Sequence, residues 1–467
     1  MNNLTRDGFI SEIYRFFNGK VYPLAVCAAA FLASVLEIEI FVLGVMALAF
    51  FVCAAVSDDA KPLIVTFITF CLCISCKHSP SHTVSKVYGD GNTDYYFTEW
   101  RLPIAVITAV LIVSGAVLFF VKNKCFDGIL RGGAFFWSTL AFSFALIMGG
   151  AFTSYYSDGL TLALGEACVF SLFYFLFAYG FRKGESIDAL MGYFSYVSAL
   201  VSGVIILQLS CLFLSSDIVF LNGSINKEGI MLGWGIWTLI GIHLAMLIPA
   251  IFYNAICRGR RGIIYFLVAT LTLLFAFLSM SRGAQLISLS VYSVCLVVAA
   301  FKSEIKSFYR IVIGIFCALA LLASLLFADE LPRVIAVFFD DNGRAEHAEN
   351  ALANFLSSPL FGVGFSGFES IRPLPDEILP MGPLPAMAHC TPLQLLSATG
   401  AFGFLTYIFY RAASLIPVLK KRTLPAALSF LGAAVIFIGG LVDNFPFDIY
   451  PMFYSQIALA ISHRASE

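Results

Sequence analysis

Long apolar stretches alternate with short polar ones along most of the chain. A membrane-spanning helix needs roughly 20 apolar residues, sometimes ~17. Cut at charge, Gly and Pro, fourteen stretches approach that length: 21–36, 38–56, 62–76, 102–121, 132–150, 159–181, 190–214, 230–253, 263–280, 283–301, 308–328, 391–415, 424–441 and 446–462. The first three are short, so the pattern predicts 12 to 14 spans. A polar lead of 20 residues precedes the first stretch, and a second span follows it at once, which argues against a cleaved signal peptide. Two polar segments exceed plain connectors: 77–101, with His78, His82 and Trp100, and the longer 329–390. Loops beyond ~12–15 residues are usually functional or disordered. Segment 329–390 carries helical patterning and is expected to be ordered. No internal repeat is visible, which disfavours inverted-repeat transporter architectures.

Composition sharpens this. Of 467 residues 60% are hydrophobic and only 12% charged, against about 45–50% and about 25% in ordinary soluble domains. One compact soluble core cannot absorb the excess, since such cores stop growing near ~250–300 residues. With a net charge of −1, a soluble enzyme, a disordered chain and a nucleic-acid binder are all disfavoured. The fold class is therefore all-α, a polytopic integral membrane protein of 12–14 transmembrane helices with one large ordered extracytoplasmic loop. Twelve cysteines lie mostly inside apolar runs, where Cys packs as a small hydrophobe. Cys71, Cys73 and Cys76 have metal-like spacing but no His or carboxylate among them, so no metal site is expected there.

Charge also orients the bundle, because Lys and Arg are kept on the cytoplasmic side. With the N-terminus inside and fourteen spans, 20 of the 28 Lys and Arg fall inside. The eight outer ones are Lys77, Lys86, Arg101, Lys227, Arg282, Arg333, Arg344 and Arg372. Both termini are then cytoplasmic. The chain divides into N-terminal spans (1–228, about seven), central spans with a Ser-Arg-Gly turn (229–328), an extracytoplasmic loop (329–390) and C-terminal spans (391–467).

The candidate chemistry lies on that outer side. Ser281-Arg282-Gly283 is the whole turn between two apolar helices. An arginine there either snorkels or is held at the membrane face toward an anionic headgroup. Ser281 can cap the following helix, and Gly283 admits close approach. In the large loop, Ala348, Ala351, Leu352, Phe355 and Leu356 follow the period of one helical face, with Asp341 or Asn342 as cap and Pro359 beyond the end. Arg344 falls in its first turn, against the helix dipole. A bound phosphate would reward that placement; pairing with Asp340, Asp341 or Glu346 is the alternative. Gly362, Gly364 and Gly367 follow without the Lys and Ser/Thr of a P-loop, suggesting a tight re-entrant turn. His389 precedes a helix start with Thr391 as cap and Pro392 at the first position. A histidine there suits a general base, or is a surface residue without a role.

Taken in order, Ser281-Arg282-Gly283, Gly343-Arg344, Pro359-Leu-Phe-Gly362-Val-Gly364, His389 and Gly400-Ala-Phe-Gly403 resemble the O-antigen ligase and polymerase superfamily of bacterial envelope glycosyltransferases. The similarity spans roughly 230–460. It implies a membrane glycosyltransferase-like bundle in the bacterial cytoplasmic (inner) membrane, with an extracytoplasmic active site and neither metal nor cofactor. The donor would be a glycan on a polyprenyl pyrophosphate. The acceptor would be a hydroxyl of a glycan, lipid or protein, so the enzyme would be a polymerase or a ligase. By carry-over, Arg282 and Arg344 hold the pyrophosphate and His389 takes the acceptor proton, while Ser281, Gly362 and Gly364 contribute to substrate binding. Lys227 stands in the outer loop 215–229 where polymerases commonly have arginine. A lysine neutralises phosphate but makes no bidentate contact. The sequence departs from the family where Cys390 follows the histidine in place of a common Asn, and where Trp237 stands at another.

Two rivals remain. A metal-dependent glycosyltransferase would use carboxylates such as Glu37 and Glu39 or Asp340 and Asp341 against pyrophosphate. A lipid-linked oligosaccharide flippase or other transporter would need polar residues within the spans, for which Glu166 and His243 are the candidates.

Overall fold

The computed structural model describes residues 3–74, 102–125, 133–152, 159–181, 184–215, 220–221, 224–225, 230–326, 344–364, 388–442 and 449–466. Among them helices dominate, and the only strands form two small antiparallel hairpins, Phe220–Leu221 with Ser224–Ile225 and Met231–Leu232 with Gly235–Ile236. In chain order the helices are α1 (Asn3–Asn18), α2 (Val21–Leu36), α3 (Glu39–Val56), α4 (Leu63–Thr69), α5 (Leu102–Lys122), α6 (Ala134–Ala151), α7 (Gly159–Cys168), α8 (Tyr174–Gly180) and α9 (Ile187–Ser215). They continue with α10 (Trp237–Cys257), α11 (Gly262–Leu278), α12 (Arg282–Lys302), α13 (Lys306–Leu326), α14 (Arg344–Ser357), α15 (Thr391–Lys420), α16 (Leu424–Gly439) and α17 (Ile449–Ser466).

The protein is an all-α polytopic membrane protein. Seven helices among the described residues are long and apolar enough to cross a membrane, or eight if α1 and α2, bent by 65°, count as one. Three shorter apolar helices accompany them, at Val106–Lys122, Phe170–Gly180 and Leu424–Gly439. Each of the fourteen apolar stretches contains helix, but they are not equivalent. In the third, 62–76, the described helix is only Leu63–Thr69, followed by a single 3-10 turn at Cys71–Cys73. Seven residues make about 10 Å of helix, against a hydrocarbon core of about 30 Å. All seven are buried, packed among α2, α3, α9 and α17. Their apolar run reflects burial in protein rather than contact with lipid. The sixth stretch is interrupted by a π-helical segment at Val169–Phe173.

The axis of the bundle is α10. Every residue from Leu239 to Ile256 is buried, as expected of a helix that is apolar all round, and α9, α11, α12 and α16 surround it. His243 sits on it fully buried, its ring 5.8 Å from Trp234 and 6.0 Å from Tyr454. Cys71 and Cys73 pack into the same interior, Cys73 Sγ lying 3.4 Å from Met46 Sδ; Cys76 lies outside the described residues.

One end of the bundle gathers basic residues that charge bias assigns to the inside. Lys122 Nζ donates to the carbonyls of Ala54 (3.0 Å), Ala55 (2.8 Å) and Ser57. Lys61 pairs with Glu185, and Tyr14 Oη donates to Asp58 at 3.0 Å. The polar lead contributes to this cluster as helix α1, which the apolar pattern did not reveal.

Candidate active site

At the opposite end of α11 and α12, the Ser-Arg-Gly turn is shaped by backbone strain and capping. Met280 adopts a left-handed conformation (φ 57°), which costs a non-glycine residue about 1–3 kcal/mol. Ser281 returns to an extended conformation, and its hydroxyl accepts the Ala284 N–H at 3.4 Å, as its cap role requires. Arg282 is thereby fixed as the first residue of α12, half-buried. The turn approaches the axis because α10 carries Gly241. A Cβ there would collide with Ser279 Oγ and lie 2.6 Å from Ala284 Cβ.

Consecutive contacts lead from this turn to the histidine. A Cβ on Gly283 would stand 3.2 Å from Val442, just past the end of α16. Two residues before it, the Gly440 carbonyl accepts the Thr391 N–H at 2.6 Å. Thr391 is thus the first residue of α15 rather than its cap. Cys390 holds the cap position without a side-chain cap bond, and Pro392 is the second helical residue. Immediately before them, His389 is left-handed (φ 44°) and half-buried. The Ala388 N–H is taken by Gln394 Oε1 at 3.2 Å.

His389 faces α14, the predicted loop helix, whose first residue is Arg344. The ring of His347, one turn along from Arg344, meets the His389 ring edge-to-face at 5.3 Å between centroids. The two segments come close through small residues, Ala351 against Ala388 with Leu393 beside them. The buried face of α14 therefore differs from the predicted one. Ala351 and Asn354 are buried, whereas Leu352 and Leu356 are 47% and 67% exposed. The alanine contact, not the bulkiest apolar stripe, sets the helix's rotation.

Gly362 and Gly364 belong to a different construction. α15 is broken at Gly400 (φ 64°, ψ −166°), and the stretch 359–364 stitches the break. Val363 and Gly364 donate to the carbonyls of Ser397 (3.0 Å) and Ala398 (2.9 Å). In return, the Ala401 and Phe402 N–H groups donate to Pro359 (2.8 Å) and Leu360 (3.2 Å). Four backbone groups that an unbroken helix would pair internally are thus satisfied by the loop, as burial demands. Gly362 (φ 72°) and Gly364 (φ 92°) turn the chain tightly against α15, and Gly367, the third glycine of the expected re-entrant turn, lies outside the described residues. Seven residues separate Thr391 from Ala398, so the stitch sits about 10 Å along α15 from its start.

The structure thus links the Ser-Arg-Gly turn, the end of α16, His389 and the Arg344 end of α14 at one end of the bundle. Lys227 lies outside the described residues, as do Asp340 and Asp341. Glu37 occupies a left-handed turn position between α2 and α3, and Glu39 is buried in the first turn of α3. Sequence reasoning missed His347 and Gly241. The i, i+3 spacing of Arg344 and His347 was available as a signal for the first; nothing in the sequence pointed to the second.

Fold and site together define a polytopic helical membrane protein with arginines and histidines gathered around one end of its bundle. Residues 266–408 match the family model described as O-antigen ligase. That segment runs from α11 into the second part of α15 and contains Arg282, Arg344, Gly362, Gly364, His389 and Gly400. That match covers under a third of the chain and supports a membrane glycosyltransferase of the O-antigen ligase and polymerase type. The match is narrower than the resemblance over 230–460, leaving out α10, α16 and α17. Among curated proteins none matches the chain.

Proposed function

We propose that the protein transfers a glycan from a polyprenyl pyrophosphate to an acceptor hydroxyl, without a metal, on the outer face of the bacterial cytoplasmic membrane. The acceptor is a growing polysaccharide, in a polymerase, or a final lipid, glycan or protein, in a ligase. The observation that carries this reading is the contact path from the Arg282 turn through Val442, Gly440 and Thr391 to His389 and on to α14, which begins at Arg344.

In this mechanism His389 takes the proton from the acceptor hydroxyl as its oxygen attacks the anomeric carbon. The bond from that carbon to the pyrophosphate oxygen breaks, and the polyprenyl pyrophosphate departs. Arg282 and Arg344 hold the pyrophosphate and offset the charge developing on it. A positioned base contributes about 10²–10⁴ in rate, and a fixed donor to developing charge about 10²–10³.

Purified protein given a polyprenyl-pyrophosphate oligosaccharide, with chelator and no nucleotide, tests the reading. A product ladder lost in Arg344→Ala and His389→Ala is the polymerase result. A single transfer that needs an added acceptor is the ligase result. No product with any acceptor, together with scrambling of the lipid-linked glycan across liposomes, would mean a transporter.

A further inference from the structure

His347 is absorbed by neither the motif order nor the mechanism, yet its ring is what His389 meets across the gap between α14 and α15. The backbone around His389 is fixed on both sides. Ala388 is buried against Ala351 and donates to Gln394, and Thr391 donates to Gly440. His389 itself sits in a left-handed conformation, and such strain persists only where the surroundings over-determine it. Fixing the backbone leaves the side-chain torsions to be set by whatever touches the ring. An edge-to-face aromatic contact prefers one relative orientation, with centroids 4.5–7 Å apart, and 5.3 Å at an interplanar angle of 68° lies within it. His347 is itself well placed to hold that orientation, being half-buried on α14 one turn from Arg344.

We infer that His347 is a positioning residue: its ring, rather than its protonation, holds the His389 imidazole toward the acceptor, and it couples that orientation to the helix that begins with Arg344. One face of α14 then serves both partners of the reaction, Arg344 on the donor side and His347 on the acceptor side. The inference rests on the role proposed for His389.

Two His347 variants and one spectroscopic measurement test it. His347→Phe keeps an aromatic edge-to-face contact and removes the titratable ring; His347→Ala removes the contact. The expected result is a kcat at least tenfold lower in His347→Ala with KM for the lipid-linked donor unchanged, and recovery to within about threefold of wild type in His347→Phe. Wild-type kcat in His347→Ala, or a loss in His347→Phe equal to that in His347→Ala, would overturn it. Independently of any activity, the protein labelled at histidine rings is studied by NMR in nanodiscs, with the His389 resonance assigned by its absence in His389→Gln. Ring order at His389 is expected to fall in His347→Ala and to be restored in His347→Phe; an unchanged His389 ring in His347→Ala refutes the positioning role. Full transfer by His389→Ala would instead refute the proposed function while leaving the ring-order result to stand by itself.

Discussion

Replacing Gly400 with alanine attacks the stitch that joins the two parts of α15, and the structure gives the size of the effect. At φ 64° and ψ −166° the residue occupies a backbone region that is essentially glycine-only, and forcing a side chain into it costs about 1–3 kcal/mol. The added Cβ would also run into the Leu360 carbonyl and stand 2.7 Å from the Gly362 nitrogen. Both are backbone atoms, so the loop must withdraw as a unit. Withdrawal breaks the four reciprocal hydrogen bonds of 359–364 with 397–402, each contributing about 0.5–1.5 kcal/mol net. The terms overlap, because relieving the strain is what breaks the bonds, so the expected loss is about 3–6 kcal/mol. The assay is thermal stability in detergent, read by size-exclusion after heating, beside Gly203→Ala. A Cβ at Gly203 in α9 meets nothing within 4 Å, and the change removes a helix glycine, so it should be neutral or stabilising by up to ~1 kcal/mol. Gly362→Ala, whose Cβ would collide with the Ala398 carbonyl carbon, should cost a similar amount. The double variant Gly362→Ala/Gly400→Ala should cost little more than either single one, since both break the same stitch. Wild-type stability in Gly400→Ala, or strictly additive losses in the double variant, would refute the argument.

Other outcomes follow from the same geometry. Arg344→Lys and Arg282→Lys keep the charge but lose the bidentate fork, so donor turnover should fall about tenfold or more while the detergent melting temperature stays put. Gly241→Val would drive a branched side chain into Ser279 and Ala284 beneath the Ser-Arg-Gly turn; overpacking of this kind costs about 1–3 kcal/mol, and transfer should be lost more steeply than stability. At the basic end, burial and then the neighbouring Glu185 carboxyl raise the Asp59 pKa to about 7. A carboxyl raised above its unfolded value favours the folded state while protonated. Its contribution is therefore full below about pH 4 and lost as pH climbs through about 7. The melting temperature should fall between pH 5 and pH 8 in wild type, and Asp59→Asn should flatten that fall. Single cysteines beside Arg282, Arg344 and His389, in a cysteine-depleted background, should react with an impermeant thiol reagent in intact cells while one within 258–261 is protected; the reverse pattern would refute the proposed orientation.

Much of the architecture is legible in the chain itself. Apolar run length marks helices because the bilayer and the bundle interior both demand internally bonded backbone. Local chemistry marks their ends, as with the Ser281 cap of α12, since capping depends on residues within one turn. The order of the Ser-Arg-Gly, Gly-Arg, Pro-Leu-Phe-Gly and His segments was likewise enough to reach the family described by the 266–408 match. Run length does not say whether an apolar surface meets lipid or protein, which is why the short, wholly buried α4 reads like a span. It is blind as well to helices that are not apolar throughout, such as α1.

What only the tertiary structure decided is which of these segments touch. Pro359–Gly364 and Gly400–Gly403 are separate in sequence, yet they are the two halves of one hydrogen-bonded break, and each glycine is required by the other's backbone. His347 gains meaning only when the Ala351–Ala388 contact lays α14 against the start of α15, and Gly241 only when two helices cross over it. Such pairings depend on close packing between elements distant along the chain, and no local pattern of residues encodes a distance.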